Sequence, residues 1–141
     1  EIEVCDWSSD VCSSDLSSNK NVGTATVKIT GKGQYGGTVS KTFKINPAKQ
    51  KIQKLTAKSK AFFIDWSQKG SATGYEVQYA TNSKFTGAKK LDVANNKTDK
   101  MTISKLSANK KYYVKVRSYT LVKGTKYYGE WSAVKSVTTK K

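Results

Sequence analysis

Short segments of alternating apolar and polar side chains recur at even spacing through residues 51–141, and this spacing constrains the fold most. Seven such segments occur, at 54–58, 61–66, 74–80, 89–94, 101–106, 112–120 and 130–138. Gly, Asn, Ser and Lys turns separate them, and none has the apolar period of an amphipathic helix. The pattern predicts an all-β fold, a seven-stranded sandwich of two sheets.

An additional β-hairpin is predicted before this series. Residues 22–31 alternate, with Ala25, Val27 and Ile29 on one face, and residues 38–46 place Val39, Phe43 and Ile45 as the apolar positions. Four of the seven residues between the two strands, 31–37, are glycine, which is typical of a turn. Because an isolated hairpin is marginally stable in water, we expect residues 17–47 to be the end of a larger, truncated domain. Pro47, the only proline, marks the boundary with a domain at 48–141.

The first sixteen residues differ sharply in charge from the rest of the chain. They contain five acidic residues and no Lys or Arg, a formal charge of −5, whereas residues 17–141 hold 26 basic and five acidic residues, a formal +21. Residues 6–16, DWSSDVCSSDL, resemble the translation of a short-read sequencing adapter. We therefore interpret residues 1–16 as non-native. The alternative is a natural Ser/Asp-rich tail closed by a Cys5–Cys12 disulfide.

Composition argues against most catalytic and metal-binding classes. The sequence has no histidine, so it offers no Ser/His or Cys/His dyad and no imidazole ligand, and two cysteines cannot form a four-thiolate zinc site. No phosphate-binding loop or nucleophile elbow occurs. We predict no enzyme activity and no catalytic, cofactor-binding or metal-binding residues. No apolar run approaches the roughly 18 residues that a membrane span needs.

The basic residues are 25 lysines and one arginine, Arg117, spread over every predicted strand and loop. Specific recognition of nucleic acids relies mainly on arginine, so we expect no specific nucleic-acid partner. The lysines predict a solvated surface that opposes edge-to-edge aggregation. A secondary hypothesis is weak, salt-sensitive attraction to anionic polymers of a cell wall or membrane surface.

Two groups of residues stand out within the predicted sandwich. The first is interpreted as core, and consists of Trp66, Tyr75, Leu106, Tyr112, Val114 and Val116. The second is a set of aromatic residues, several of which must face outward: Tyr113, Tyr119, Tyr127, Tyr128 and Trp131. Cross-strand packing is one explanation of the second group. The alternative is a platform for sugar rings, with Tyr119, Tyr127, Tyr128 and Trp131 as possible ligand contacts.

Several motifs in residues 48–141 resemble a fibronectin type III domain of bacterial surface proteins. They are Trp66 in the second strand, GYEVQYATNSKF at 74–85, Leu106 six residues before Tyr112, YYVKVRSY at 112–119 and YGEWSAVKSVTT at 128–139. The Leu106–Tyr112 spacing matches the tyrosine corner, although Ser107-Ala108-Asn109 replaces the usual Pro-Gly. The preceding GTATVKITGKGQYGGTVSKTFKI resembles the last two strands of bacterial immunoglobulin-like domains.

The resemblance implies a non-catalytic spacer or interaction module of a larger exported bacterial protein, placed extracellularly or at the cell surface in association with the wall. Its expected partners are neighbouring domains of the same polypeptide. The alternative function is a carbohydrate- or wall-polymer-binding module that uses exposed aromatics and lysines, appended to a polysaccharide- or wall-active enzyme. Integrin binding is not implied, because the Arg-Gly-Asp triplet is absent.

Overall fold

The computed structural model describes residues 12–17, 20–34 and 36–141, and within them it contains eleven strands and no helix. The chain divides into two compact units, Glu1–Ile45 and Asn46–Lys141. Cys5 and most of the adapter-like segment lie outside the described residues, as do the side chain of Cys12 and all of Tyr35.

The first unit is a three-stranded antiparallel sheet in the order β1-β2-β3: β1 Cys12–Ser17, β2 Gly23–Gly31 and β3 Thr38–Ile45. The predicted hairpin is present as β2 and β3, with Ala25 opposite Phe43 and Ile29 opposite Val39. The third strand, β1, pairs with the other edge of β2 and was not predicted. Ile29, Val39 and Phe43 expose 38%, 42% and 43% of their surface, so part of this sheet's apolar face is open to solvent.

The second unit is a sandwich of two antiparallel sheets, as predicted. Its strands are β4 Ile52–Lys58, β5 Ala61–Trp66, β6 Gly74–Ala80, β7 Lys89–Val93, β8 Lys100–Ile103, β9 Lys111–Val122, β10 Thr125–Tyr128 and β11 Lys135–Thr138. One sheet has the order β4-β5-β8. The other has the order β10-β9-β6-β7, and β11 pairs with the same edge of β9 farther along.

The last predicted strand, 130–138, is longer than the strand in the structure, since only its second half forms β11. The strand β10 lies before the predicted bounds and was not predicted. β10 precedes Gly129 and β11 begins at Lys135. Between them the Ser132 hydroxyl accepts a hydrogen bond from the backbone N–H of Val116 at 3.1 Å, in the place where a regular ladder would use a carbonyl. Because the Ser132 hydroxyl takes the place of a backbone carbonyl, the regular β-sheet hydrogen bonding is interrupted here and the strand is broken.

The core lies between the two sheets. From the first sheet it receives Ile52, Phe62, Ile64, Trp66 and Ile103, and from the second Tyr75, Val77, Tyr79, Tyr112, Val114 and Val116. Edge-on aromatic contacts cross the interface, with ring centroids 5.5 Å apart for Trp66 and Tyr75 and 5.8 Å apart for Phe62 and Tyr79. Large rings in these arrangements dominate the burial that holds the sheets together.

The sandwich has two ends, which we name by the terminus of the second unit that each contains. The C-terminal pole comprises residues 58–61, 80–89, 104–111 and 139–141. Backbone hydrogen bonds from Lys60 to Lys140 and from Leu106 to Lys60 join three of these segments. The N-terminal pole comprises residues 46–53, 65–76, 92–100 and 117–130, and similar bonds from Ser67 to Lys51 and from Trp66 to Asp99 join its segments.

Thr139 and Tyr112 fasten the C-terminal pole. The Tyr112 hydroxyl accepts a hydrogen bond from the backbone N–H of Ser107 at 3.2 Å. The Thr139 hydroxyl donates to the Ser107 carbonyl at 2.6 Å and accepts from the backbone N–H of Lys110 at 3.0 Å. These bonds tie the loop before β9 to the last residues of the chain.

Candidate functional site

The outer face of the sheet β10-β9-β6-β7 contains most of the aromatic residues singled out from the sequence. Because strand side chains alternate, Tyr112, Val114 and Val116 of β9 point into the core, and Lys115 and Arg117 point outward. The irregular segment after β10 brings Trp131 over this outer face, next to both cations.

Cations and aromatic rings alternate along this face. The Lys115 Nζ lies 4.2 Å from the ring centre of Phe85 and 4.6 Å from that of Trp131. The Arg117 Cζ lies 4.3 Å from the ring of Trp131 and 3.8 Å from that of Tyr128. Trp131 therefore packs against two cations and Arg117 packs against two rings, both within the range of cation–π attraction.

The stack continues toward β7. The rings of Tyr128 and Tyr119 meet edge-on with centroids 5.9 Å apart, and the Lys126 Nζ lies 4.1 Å from the Tyr119 ring. Lys126 then forms an ion pair with Asp92. We call the set the cation–aromatic ladder, and its members are Phe85, Lys115, Trp131, Arg117, Tyr128, Tyr119 and Lys126.

Two carboxylates balance part of the positive charge of the ladder. Glu76 accepts a hydrogen bond from Arg117 at 3.0 Å, and the two side chains are only 13% and 21% exposed. The hydrogen bond from Lys126 holds the pKa of Asp92 below its usual value, and the same bond raises the pKa of Lys126. Burial, and then the neighbouring Arg117, lower the pKa of Lys115.

The residues predicted as ligand contacts are members or neighbours of this ladder. Tyr119 is 2% exposed, and its hydroxyl group lies beside the Cα of Gly74. Tyr128 and Trp131 are half-buried with their rings against Arg117, and Tyr127 is half-buried on the same strand as Tyr128. Tyr128 and Trp131 thus each pack against a cation of β9 within the domain.

Lys115, Arg117 and Phe85 belong to the ladder but were not predicted as site residues. The sequence contained a signal for Lys115 and Arg117, because they lie two residues apart on the outward side of β9, a strand that is rich in aromatic residues. Nothing in the sequence indicated Phe85, which lies in the turn after β6 with a φ of 58°. The six residues interpreted as core, namely Trp66, Tyr75, Leu106, Tyr112, Val114 and Val116, are all buried in the main cluster.

A separate cavity of about 220 Å³ opens at the C-terminal pole. Tyr79 and Tyr112 form its floor, and Lys89 and Lys105 lie at its wall. Burial raises the pKa of Tyr79, as does the adjacent Tyr112, so its phenol stays protonated and able to donate a hydrogen bond.

The part of the chain that the structure describes contains neither a metal-binding cluster nor a helix suited to cross a membrane. Among residues 12–17, 20–34 and 36–141 no group of three His, Cys, Asp or Glu side chains is placed to hold a metal ion. Within the same ranges no helix has the length and apolar character that a membrane crossing requires.

Comparison with known proteins identifies the second unit. The sequence model of the fibronectin type III domain matches residues 46–138. The chain belongs to the fibronectin type III family. No curated protein matches the whole sequence closely enough to add a relative.

Solved structures share this fibronectin type III fold at low sequence identity. The crystal structure of the chicken CNTN1 FN1–FN3 domains is 18% identical, with a TM-score of 0.59 over 86% of this chain. This chain spans 44% of that structure's length. A second structure, described as a myokine, is 12% identical, with a TM-score of 0.55 over 68% of this chain and all of the other.

The family confirms the predicted sandwich and the type of module. Fibronectin type III domains are generally non-catalytic modules of larger proteins, and they are commonly extracellular or surface-associated. In this fibronectin type III domain the ladder covers one sheet and the cavity opens at one pole, so the two features can be tested separately.

Proposed function

We propose that the chain is a segment of a larger exported bacterial protein of the cell surface or extracellular space. In this proposal the fibronectin type III domain is a non-catalytic spacer and interaction module, and residues 17–47 are the end of a truncated immunoglobulin-like domain. The exposed apolar side chains of Ile29, Val39 and Phe43 support truncation, because a complete sandwich would cover such a face with a second sheet.

The ladder is the observation that favours a spacer over a sugar platform. Contacts of Trp131 with Lys115 and Arg117 fasten the irregular segment after β10 to β9. The rings of Trp131 and Tyr128 pack against the cations that project from β9, so their contacts within the domain account for their outward positions. The outward aromatics therefore stabilise the sheet, and a stiff sandwich suits a module that holds neighbouring domains apart.

Replacing Trp131 by Ala tests this function. We expect Trp131→Ala to lower the free energy of unfolding by about 2 kcal/mol, because two cation–π contacts and the ring's packing are lost. Neutral oligosaccharides on a glycan array should give the same signal with the Trp131→Ala variant as with the unaltered protein. Phe63→Ala is the matched control, since Phe63 is a half-buried outward ring of the other sheet with one lysine at 5.6 Å.

A stable Trp131→Ala protein that loses binding to a neutral oligosaccharide would reverse the assignment in favour of a sugar platform.

The proposed export of the protein is tested separately, by sequencing the uninterrupted reading frame upstream of Ser17. We expect a signal peptide and the remaining strands of an immunoglobulin-like domain there. A native sequence that continues in frame through residues 6–16 would refute the adapter origin.

A further inference from the structure

Acidic side chains are confined to one of the two poles of the fibronectin type III domain. Within residues 46–141 all five acidic side chains lie at the N-terminal pole: Asp65, Glu76, Asp92, Asp99 and Glu130. The C-terminal pole contains no acidic residue and nine lysines: Lys58, Lys60, Lys84, Lys89, Lys105, Lys110, Lys111, Lys140 and Lys141. Four separate segments of the sequence contribute these lysines, so folding creates the concentration of charge.

The lysines of the C-terminal pole are exposed and lack acidic neighbours. All nine are classed as exposed residues. The three ion pairs of residues 46–141, every one of which the structure describes, are Lys49–Glu130, Arg117–Glu76 and Lys126–Asp92, and none lies at this pole. The potential at the C-terminal pole is consequently positive, because no acidic side chain there offsets the nine lysines.

The cavity of about 220 Å³ opens within the same pole. Lys89 and Lys105 line it together with three residues that carry hydroxyl groups, Thr81, Thr86 and Tyr79. Pockets for drug-sized ligands have volumes of about 300–1,000 Å³, so this cavity suits a single smaller unit. Its hydroxyl groups can donate to a carboxylate, and the two ammonium groups can neutralise it.

We propose that the C-terminal pole binds a linear anionic polysaccharide, with one acidic sugar unit in the cavity and adjacent units along the surrounding lysines. The inference rests on the proposed function and names a partner for the module. A lysine ammonium group is a point charge and lacks the planar, bidentate donor geometry of an arginine guanidinium group. A cluster of lysines therefore recognises the charge density of a polymer and not the hydrogen-bonding pattern of a base edge.

Titration of the full 141-residue chain with a short oligogalacturonate tests the proposal by calorimetry and by backbone amide shifts. We expect binding at low salt, with the largest shifts in residues 81–89 and 104–111. Lys89→Gln/Lys105→Gln should weaken binding about tenfold and reduce the slope of log affinity against log salt by about two, one for each lost contact. A neutral galactan oligosaccharide of equal length should not bind.

Lys97→Gln/Lys123→Gln is the matched control, because it removes the same charge from exposed positions of the N-terminal pole. We expect it to change affinity less than about twofold. An equal loss in the control would show that total charge, and not the pole, attracts the ligand, and would overturn the proposal. So would tighter binding of mixed-sequence single-stranded DNA, or no preference for oligogalacturonate over galactan.

A second pair of variants separates binding from folding. Lys105 and Lys123 both have left-handed backbones, with φ of 59° and 47°, so Lys105→Gly and Lys123→Gly should change the unfolding midpoint similarly. Only Lys105→Gly should weaken oligogalacturonate binding. Equal affinities would contradict the proposal. Neither result depends on the Trp131→Ala measurement, so failure here leaves the spacer function standing.

Discussion

At the scale of single residues, Gly74 shows how closely the ladder packs on its sheet. A Cβ at this position would lie 2.4 Å from the carbonyl oxygen of Val93 and 2.7 Å from the hydroxyl oxygen of Tyr119. Tyr119 faces Gly74 directly across the β6–β9 pair, so its phenol occupies the space that a side chain at residue 74 would fill. Glycine is needed at residue 74 because Val93 and Tyr119 approach its Cα closely, and not because its backbone has an unusual φ.

We expect Gly74→Ala to destabilise the protein by about 2 kcal/mol, because the backbone carbonyl of Val93 cannot move aside as a flexible side chain can. Urea denaturation measures the change in midpoint. Gly70→Ala is the control, since a Cβ there meets nothing within 4 Å. Equal midpoints for the two variants would show that Tyr119 does not pack against the sheet in this way.

At the scale of elements, the ion pair of Asp92 and Lys126 links β7 to β10 across the two strands between them. The folded-state pKa of Asp92 is lowered, so its contribution is present above the ordinary value near 3.9 and is lost as pH falls through the folded value. The pKa of Lys126 is raised, so its contribution is present below the ordinary value near 10.4 and is lost as pH rises through the folded value.

We expect Asp92→Asn to reduce the free energy of unfolding by about 0.5 kcal/mol between about pH 5 and pH 9, because the pair is partly exposed and screened by solvent. The difference from the native protein should shrink toward zero as pH falls through the lowered folded-state pKa of Asp92, below which the native carboxyl group is also protonated. Urea unfolding at low salt and several pH values provides the measurement, because an uncharged denaturant does not screen the pair. A difference that persists unchanged at low pH would mean that the carboxylate charge is not its source.

Strands were predictable from the sequence where one face of the sheet is buried and the other is exposed to solvent. The β5 strand, Ala61–Trp66, and the β6 strand, Gly74–Ala80, coincide with their alternating patterns, because burial of every second residue imposes that period. The break between β10 and β11 was not predictable. It depends on the Ser132 hydroxyl reaching the backbone of Val116, and this contact joins residues distant in sequence.

At the scale of the whole molecule, the two units differ in how fully they bury their apolar residues. The fibronectin type III unit, Asn46–Lys141, encloses its main cluster between two sheets. The first unit leaves Ile29, Val39 and Phe43 substantially exposed. Stability should therefore reside in the second unit, since burial of apolar area supplies most of the driving force for folding.

We expect the isolated fragment 46–141 to unfold in one cooperative transition, with a thermal midpoint within about 3 °C of the main transition of the full chain, a difference that corresponds to less than about 1 kcal/mol. Circular dichroism and calorimetry provide the comparison. A midpoint lower by much more than this would show that the first unit contributes to the stability of the sandwich.

The sequence by itself determined the class of fold, because alternation at period two, turn residues at short intervals and the Leu106–Tyr112 spacing are local patterns that burial imposes on each strand. It also determined that a dyad of histidine with Ser or Cys cannot occur in this chain. Only the tertiary structure decided what the cations and outward aromatics do. The cation–aromatic ladder and the C-terminal pole each bring together residues from separate segments of the sequence. The charges of these residues come close to one another only after the sheets have formed.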